Sequence, residues 1–197
     1  MKLGPASLFA AALAFGIGAT QVYASPLADP LPHPVGPITY TGPVELNGKN
    51  LNLTVEGTVQ EIYSKVKDRT GVILKPVDLH KDDSKHKLRA RARASINCHP
   101  QGGGAKVKSI REGASYLNGL HGKFRPLPRT CSRVSCSWDS GIFLCNDNDH
   151  KVSVPCKLVA EYTRDILDIC ASPDVVSLRG QEFDSDGWNV VVRESNC

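Results

Sequence analysis

The sequence predicts an α+β domain: an antiparallel four-stranded sheet built from two hairpins, packed with two helices and stapled by disulfides. A small ββαβ-like N-terminal pro-segment precedes it. Three observations carry this expectation. All seven cysteines lie at or beyond position 98, which divides the chain into a cysteine-free and a cysteine-dense part. The cysteine-dense part holds two stretches with apolar residues at helical spacing. It also holds two pairs of β-rich runs, each interrupted by a short turn sequence. At 197 residues, with 41% apolar and 22% charged side chains, the chain is neither collagen-like nor wholly disordered. No apolar run reaches the ~18 residues of a membrane-spanning helix. One Met and 6% aromatics argue against a methionine-lined groove or an aromatic cage.

Residues 1–24 read as a secretory signal peptide. Lys2 supplies the positive start, Leu8 to Ala19 the apolar stretch, and Val22-Tyr23-Ala24 a small-residue cleavage site. Secretion places the rest of the chain in an oxidising, extracellular setting.

Residues 25–79 carry five basic and six acidic side chains. Five prolines between Pro26 and Pro37 exclude regular structure at the start. Pro43–Val55 reads as two strands around Asn47-Gly48, a hairpin turn sequence. Thr58 and Glu61 form a capping box that opens a helix to about Asp68, with Val59, Ile62, Tyr63 and Val66 as its apolar stripe. Gly71 ends it, and Val72–Leu74 is expected to add a strand. So short a unit cannot bury much core alone, so it is either a removable pro-segment or a unit docked on the cysteine-dense domain. Asn52-Leu53-Thr54 is an N-glycosylation acceptor, which would make the chain a glycoprotein.

Residues 80–94, HKDDSKHKLRARARA, carry six basic and two acidic side chains, whereas residues 95–197 carry twelve of each. The positive balance therefore belongs to a linker. A neutral domain has no long-range field for nucleic acid or anionic lipid. Arg89, Arg91 and Arg93 are processing candidates, since exposed basic linkers attract proteases. A solvated tether and a targeting or binding patch are the other readings.

In the domain at 95–197, Ala105–Leu120 is the first helix, with Val107, Ile110, Ala114, Leu117 and Leu120 on one face and Gly122 as a stop. Gly102-Gly103-Gly104 is a flexible lead-in, because no Lys-Ser/Thr follows at phosphate-loop spacing. Ser132–Trp138 and Ile142–Asn146 form a hairpin around Ser140-Gly141. That loop sets Trp138 opposite Phe143 and Cys136 opposite Cys145 on one face. Pro155 opens the second helix in its first turn, which runs to about Ile169. Leu158, Val159, Tyr162, Ile166 and Ile169 face inward, with Glu161, Arg164, Asp165 and Asp168 outside. Val175–Phe183 and Trp188–Glu194 are strands around Asp184–Gly187, with Trp188, Val190 and Val192 on one face.

Seven cysteines in a secreted domain of this size mean a disulfide framework. No pair has the Cys-x-x-Cys spacing of zinc or redox sites, and no cofactor or metal is called for. One cysteine must be odd. Cys156, at the first turn of the second helix, is the free-thiol candidate, either as a leftover or as a dipole-activated nucleophile.

Catalytic signals are sparse. Asn146-Asp147-Asn148-Asp149-His150 is the densest polar run, but it lacks the glycine and distal glutamate of a calcium loop and reads as a turn. His99, His121 and His150 could join Glu112 or Glu161 as an acid/base pair, although sequence alone does not bring them together. No Gly-x-Ser-x-Gly or His-Glu-x-x-His motif is present. No catalytic residue is assigned.

The run CSRVSCSWDSGIFLCNDN over 131–148, Gly180–Phe183, Trp188-Asn189-Val190 and the terminal Cys197 resemble a family of small secreted cysteine-rich proteins of filamentous fungi. Ile96-Asn97-Cys98 and Tyr116-Leu117 belong to the same signature. The family is similar to necrosis-inducing effectors and killer-toxin-like α+β sandwiches. The resemblance implies six framework cysteines, Cys98, Cys131, Cys136, Cys145, Cys170 and Cys197, and leaves Cys156 outside them. It implies a non-enzymatic fungal effector or virulence factor that binds a host or competitor cell-surface or extracellular protein. The alternative is a small secreted ribonuclease-like hydrolase using His and acidic residues.

Overall fold

The computed structural model describes residues 31–79 and 93–197. The leader at 1–24 and two processing candidates, Arg89 and Arg91, lie outside the described residues. Arg93 opens a strand.

The elements run β1 (Val35–Gly36), β2 (Ile38–Leu46), β3 (Lys49–Glu56), α1 (Val59–Thr70), β4 (Arg93–Asn97), β5 (Ala105–Lys106) and α2 (Val107–Asn118). They continue with β6 (Lys123–Pro126), β7 (Thr130–Ser137), β8 (Ser140–Asn146), β9 (Val154–Pro155), α3 (Cys156–Cys170), β10 (Ser177–Leu178), β11 (Gly180–Asp184) and β12 (Trp188–Glu194). A mixed six-stranded sheet has the order β1-β7-β8-β12-β11-β4, and an antiparallel four-stranded sheet the order β3-β2-β6-β9. β5 and β10 form a short ribbon. The two expected hairpins thus make the centre of the larger sheet, which β1 extends in parallel and β4 antiparallel.

Local chemistry explains the elements of residues 31–79. Asn47 and Gly48 both take positive φ (53° and 74°), the mirror-image turn that matches strand twist. Pro43 is tolerated inside β2 because pairing with β6 ends at Thr41, so no partner on that side needs its missing N–H. The capping box of Thr58 and Glu61 opens α1, and Gly71 closes it with φ 74°. Val72–Leu74 is not a strand. Instead, the segment runs back along the helices, where the Val77 amide donates to Ser115 O at 3.0 Å and the Tyr63 hydroxyl donates to Tyr116 O at 2.9 Å. The third strand of this unit's sheet is β6, from beyond the linker.

The main hairpin turns two residues earlier than its sequence suggests. Trp138 and Asp139 both adopt positive φ (51° and 57°) and form the loop. A bulge between Arg133 and Ser135 then shifts the register once more. Cys131, not Cys136, therefore faces Cys145, and Arg133 faces Phe143.

α2 begins at Val107 because Ala105 and Lys106 pair with Leu178 and Ser177. Pro155 caps α3 from outside, its residue pair with Lys123 belonging to β9. The expected strand at Val175–Phe183 is broken into β10 and β11, and Val176 is 84% exposed. α3 buries more of its circumference than one stripe, because it packs against α2 on one side and β11 and β12 on the other. Arg164 and Asp165 are buried, while Ile169 is 62% exposed and Leu167 takes its place inside. Trp188, Val190 and Val192 share the inner face of β12 within the main core. Trp188 lies against Tyr162 of α3, the rings tilted by 40° with centroids 4.8 Å apart.

Candidate functional site

Three disulfides fix the cysteine-bearing unit: Cys98–Cys170 ties β4 to the end of α3, Cys131–Cys145 crosses β7 and β8, and Cys136–Cys197 anchors the C-terminus. Cys156 is free and fully buried. Burial pushes its thiol far above the usual range, outweighing the hydrogen bonds from its own backbone and from that of Gly122. Full burial and a raised pKa both disfavour the exposed thiolate that a nucleophile needs.

The β7–β8 hairpin presents Trp138 at its tip with 73% of its surface exposed. The tip is held on three sides. Cys136 beside it is bonded to Cys197. The Ser195 amide donates to Asp139 O at 3.1 Å. The Ser140 hydroxyl donates to Trp138 O at 3.1 Å and accepts from the Lys106 amide at 2.9 Å. Lys106 in turn pairs with Ser177, next to exposed Val176. A large apolar side chain thus stands in water on a braced loop.

The sequence-selected histidines do not converge. His99 and His121 are exposed, as is Glu112, and Glu161 is partly buried. His150 meets only exposed Asp149 at 3.1 Å, and that hydrogen bond lowers the Asp149 pKa. The 146–150 run is a turn with a dense bond network. Asn146 Nδ2 donates to His150 O and Leu127 O, and Asn148 Nδ2 donates to Asn146 Oδ1 and to the carbonyls of Asp186 and Gly187. Among the described residues, no group of three or more His, Cys, Asp or Glu side chains could hold a metal ion.

One His–acid pair has no signal in the sequence. His33 Nε2 lies 2.7 Å from Asp147 Oδ1, while Asp147 Oδ2 accepts from Asn189 Nδ2 at 2.8 Å. Asn189, fully buried, accepts in turn from Gln181 Nε2 at 3.0 Å. His33 sits on the segment that crosses the outer face of the larger sheet, where Leu31 covers Cys131, Phe143, Cys145 and Val191. It lines a groove of about 580 Å³ together with Phe143, Arg193 and Ser195. No motif spacing announces this pair, because 113 residues stand between its members.

A buried polar set on the inner face is equally silent in the sequence. Glu182 and Asp184 point inward from β11, and the Tyr162 hydroxyl donates to Asp184. Asn52 is exposed on β3, the outer strand of the smaller sheet, opposite Pro43.

No described helix is long and apolar enough to cross a membrane. Compared with family models, curated proteins and solved structures, the chain finds no match.

Proposed function

We propose that this chain is a secreted, non-enzymatic binding protein of the effector or toxin-like kind, acting outside the producing cell on a host or competitor surface protein. The observation that supports the reading is Trp138. Burying a tryptophan removes ~150–250 Å² from water, so an exposed one is a large unused source of contact energy. Trp is enriched among the few residues that dominate interfaces. A braced loop loses little freedom on docking, which lowers the cost of association. Three disulfides fit an extracellular setting. The test is cell-directed activity, necrosis or growth inhibition, of Trp138→Ala on a panel of plant and fungal cells. Activity should fall at least tenfold with circular dichroism and melting temperature unchanged.

A second reading rests on His33 and Asp147. A histidine oriented by a carboxylate, itself held by a buried amide, is the arrangement of a general base. The reading is a small ribonuclease-like hydrolase. His33→Asn should then reduce RNA or ester turnover by ~10²–10⁴-fold and leave Trp138→Ala turnover intact. Without such turnover, the pair is a polar latch that ties the 31–37 segment to the sheet.

A further inference from the structure

We propose that residues 31–79 are a non-covalently held subunit of the protein, so that a backbone cut between positions 79 and 93 yields a two-chain molecule and not a released propeptide. This holds whatever the protein binds. No cysteine precedes position 98, and the three disulfides lie entirely within 98–197. The backbone is therefore the sole covalent link between the two stretches. Their non-covalent link is that of one folded body. β2 pairs with β6 at four positions, from Ile38↔Pro126 to Thr41↔Lys123, and β1 pairs with β7. Tyr40, Val59, Ile62 and Val66 join the same core as Ile110, Leu117 and Phe124. Tyr40 packs edge-on against Phe124, and Tyr63 against Tyr116.

The fit is close at the backbone. A side chain at Gly122 would come within 2.4 Å of the Tyr40 ring and 2.5 Å of Thr41 O, so only glycine permits this approach. Polar groups are also matched across the junction. Gln60 Nε2 donates to Ser135 Oγ at 2.9 Å, the Cys131 amide donates to Pro34 O at 2.9 Å, and Asn118 Nδ2 donates to Val77 O at 3.1 Å. Removing 31–79 would expose Phe124 and Leu117 and leave β6 without its long partner strand. A surface so apolar and so interleaved with backbone pairing has the character of an obligate interface.

Cys156 reports on this arrangement from inside. It lies in the shared core with Tyr40, and its amide donates at 3.0 Å to Gly122 O, the carbonyl of the glycine that Tyr40 packs against. Departure of residues 31–79 would open the side on which Tyr40 stands.

The test uses the full chain with a recognition sequence for a site-specific protease placed between Leu79 and Arg93. After complete cutting, verified on a denaturing gel, gel filtration and native mass spectrometry should find both chains in one particle, heavier than the uncut protein by one water. Alkylation of Cys156 should stay within about twofold of the uncut rate. Release of the N-terminal chain overturns the proposal, whether the remainder stays folded or precipitates. So does a Cys156 that turns reactive on cutting. A control cut in denaturant, followed by removal of the denaturant, should restore the same particle.

Discussion

Replacing Trp188 by alanine removes the largest side chain between α3 and the six-stranded sheet. Only 4% of Trp188 is exposed, its ring lies 4.8 Å from that of Tyr162, and its neighbours on the strand face are Val190 and Val192. A tryptophan buries ~150–250 Å², which at ~25 cal/mol per Å² is about 4–6 kcal/mol before the alanine's own burial is subtracted. Large-to-alanine core changes of this kind cost ~3–5 kcal/mol, and about 4 kcal/mol is expected here. For a chain of this size, that lowers the melting temperature by roughly 8–16 °C. Urea and thermal unfolding followed by far-UV circular dichroism, with disulfides intact, measure it. Trp138→Ala is the internal comparison, since a 73% exposed residue should change stability by less than ~0.5 kcal/mol. A Trp188 loss below ~1.5 kcal/mol, or equal losses at both positions, would refute the placement of α3 against β12.

Cys156 makes stability fall at alkaline pH. Its folded pKa is raised by burial, so the unfolded chain loses its proton first, near ~8.5, and stability drops above that pH by up to ~1.4 kcal/mol per unit. Cys156→Ala should abolish the slope between about pH 8.5 and 10, below the range where raised Tyr40 and Tyr63 contribute; an unchanged slope contradicts the assignment. Glu61 works in the opposite direction. The Thr58 backbone hydrogen bond lowers its folded pKa, so the capping box stabilises fully above the unfolded value of ~4.3 and is lost as pH falls through the folded one. Glu61→Gln should cost ~0.5–1 kcal/mol at pH 7 and nothing at strongly acid pH, as read by paired urea titrations. At Gly180 a Cβ would meet Ile166 Cγ2 at 2.3 Å, so Gly180→Ala should destabilise by ~1–3 kcal/mol through overpacking. A neutral result in the same unfolding assay would show that α3 is free to move off β11.

What could be read from sequence was whatever local chemistry decides. Asn47-Gly48, the Thr58–Glu61 box, Gly71 and the alternation Trp188, Val190, Val192 each act within a few residues, and each stands where local rules put it. The β7–β8 register failed because two non-glycine residues, Trp138 and Asp139, take the left-handed turn in place of Ser140-Gly141. The bracing from Ser195, Ser140 and Lys106 belongs to tertiary structure. β1 and β4 were invisible for a related reason. A two-residue strand in a proline-rich stretch and an edge strand that opens in an Arg-Ala repeat have no periodicity of their own, and exist because β7 and β11 offer partners. The sequence of α3 shows a single apolar stripe with Arg164 and Asp165 outside it, yet both are buried because the helix is covered from two directions. His33 is legible only once residues 31–37 are seen to cross the sheet beside Asp147.

Saturation binding of labelled protein to intact responsive cells tests the central claim most directly, with wild type, Trp138→Ala and His33→Asn compared side by side. The claim predicts saturable wild-type binding, an affinity at least tenfold weaker for Trp138→Ala at unchanged melting temperature, and His33→Asn close to wild type. Equal affinity of Trp138→Ala and wild type would contradict the claim. So would a wild-type protein that does not bind but turns over RNA or ester in a His33-dependent manner.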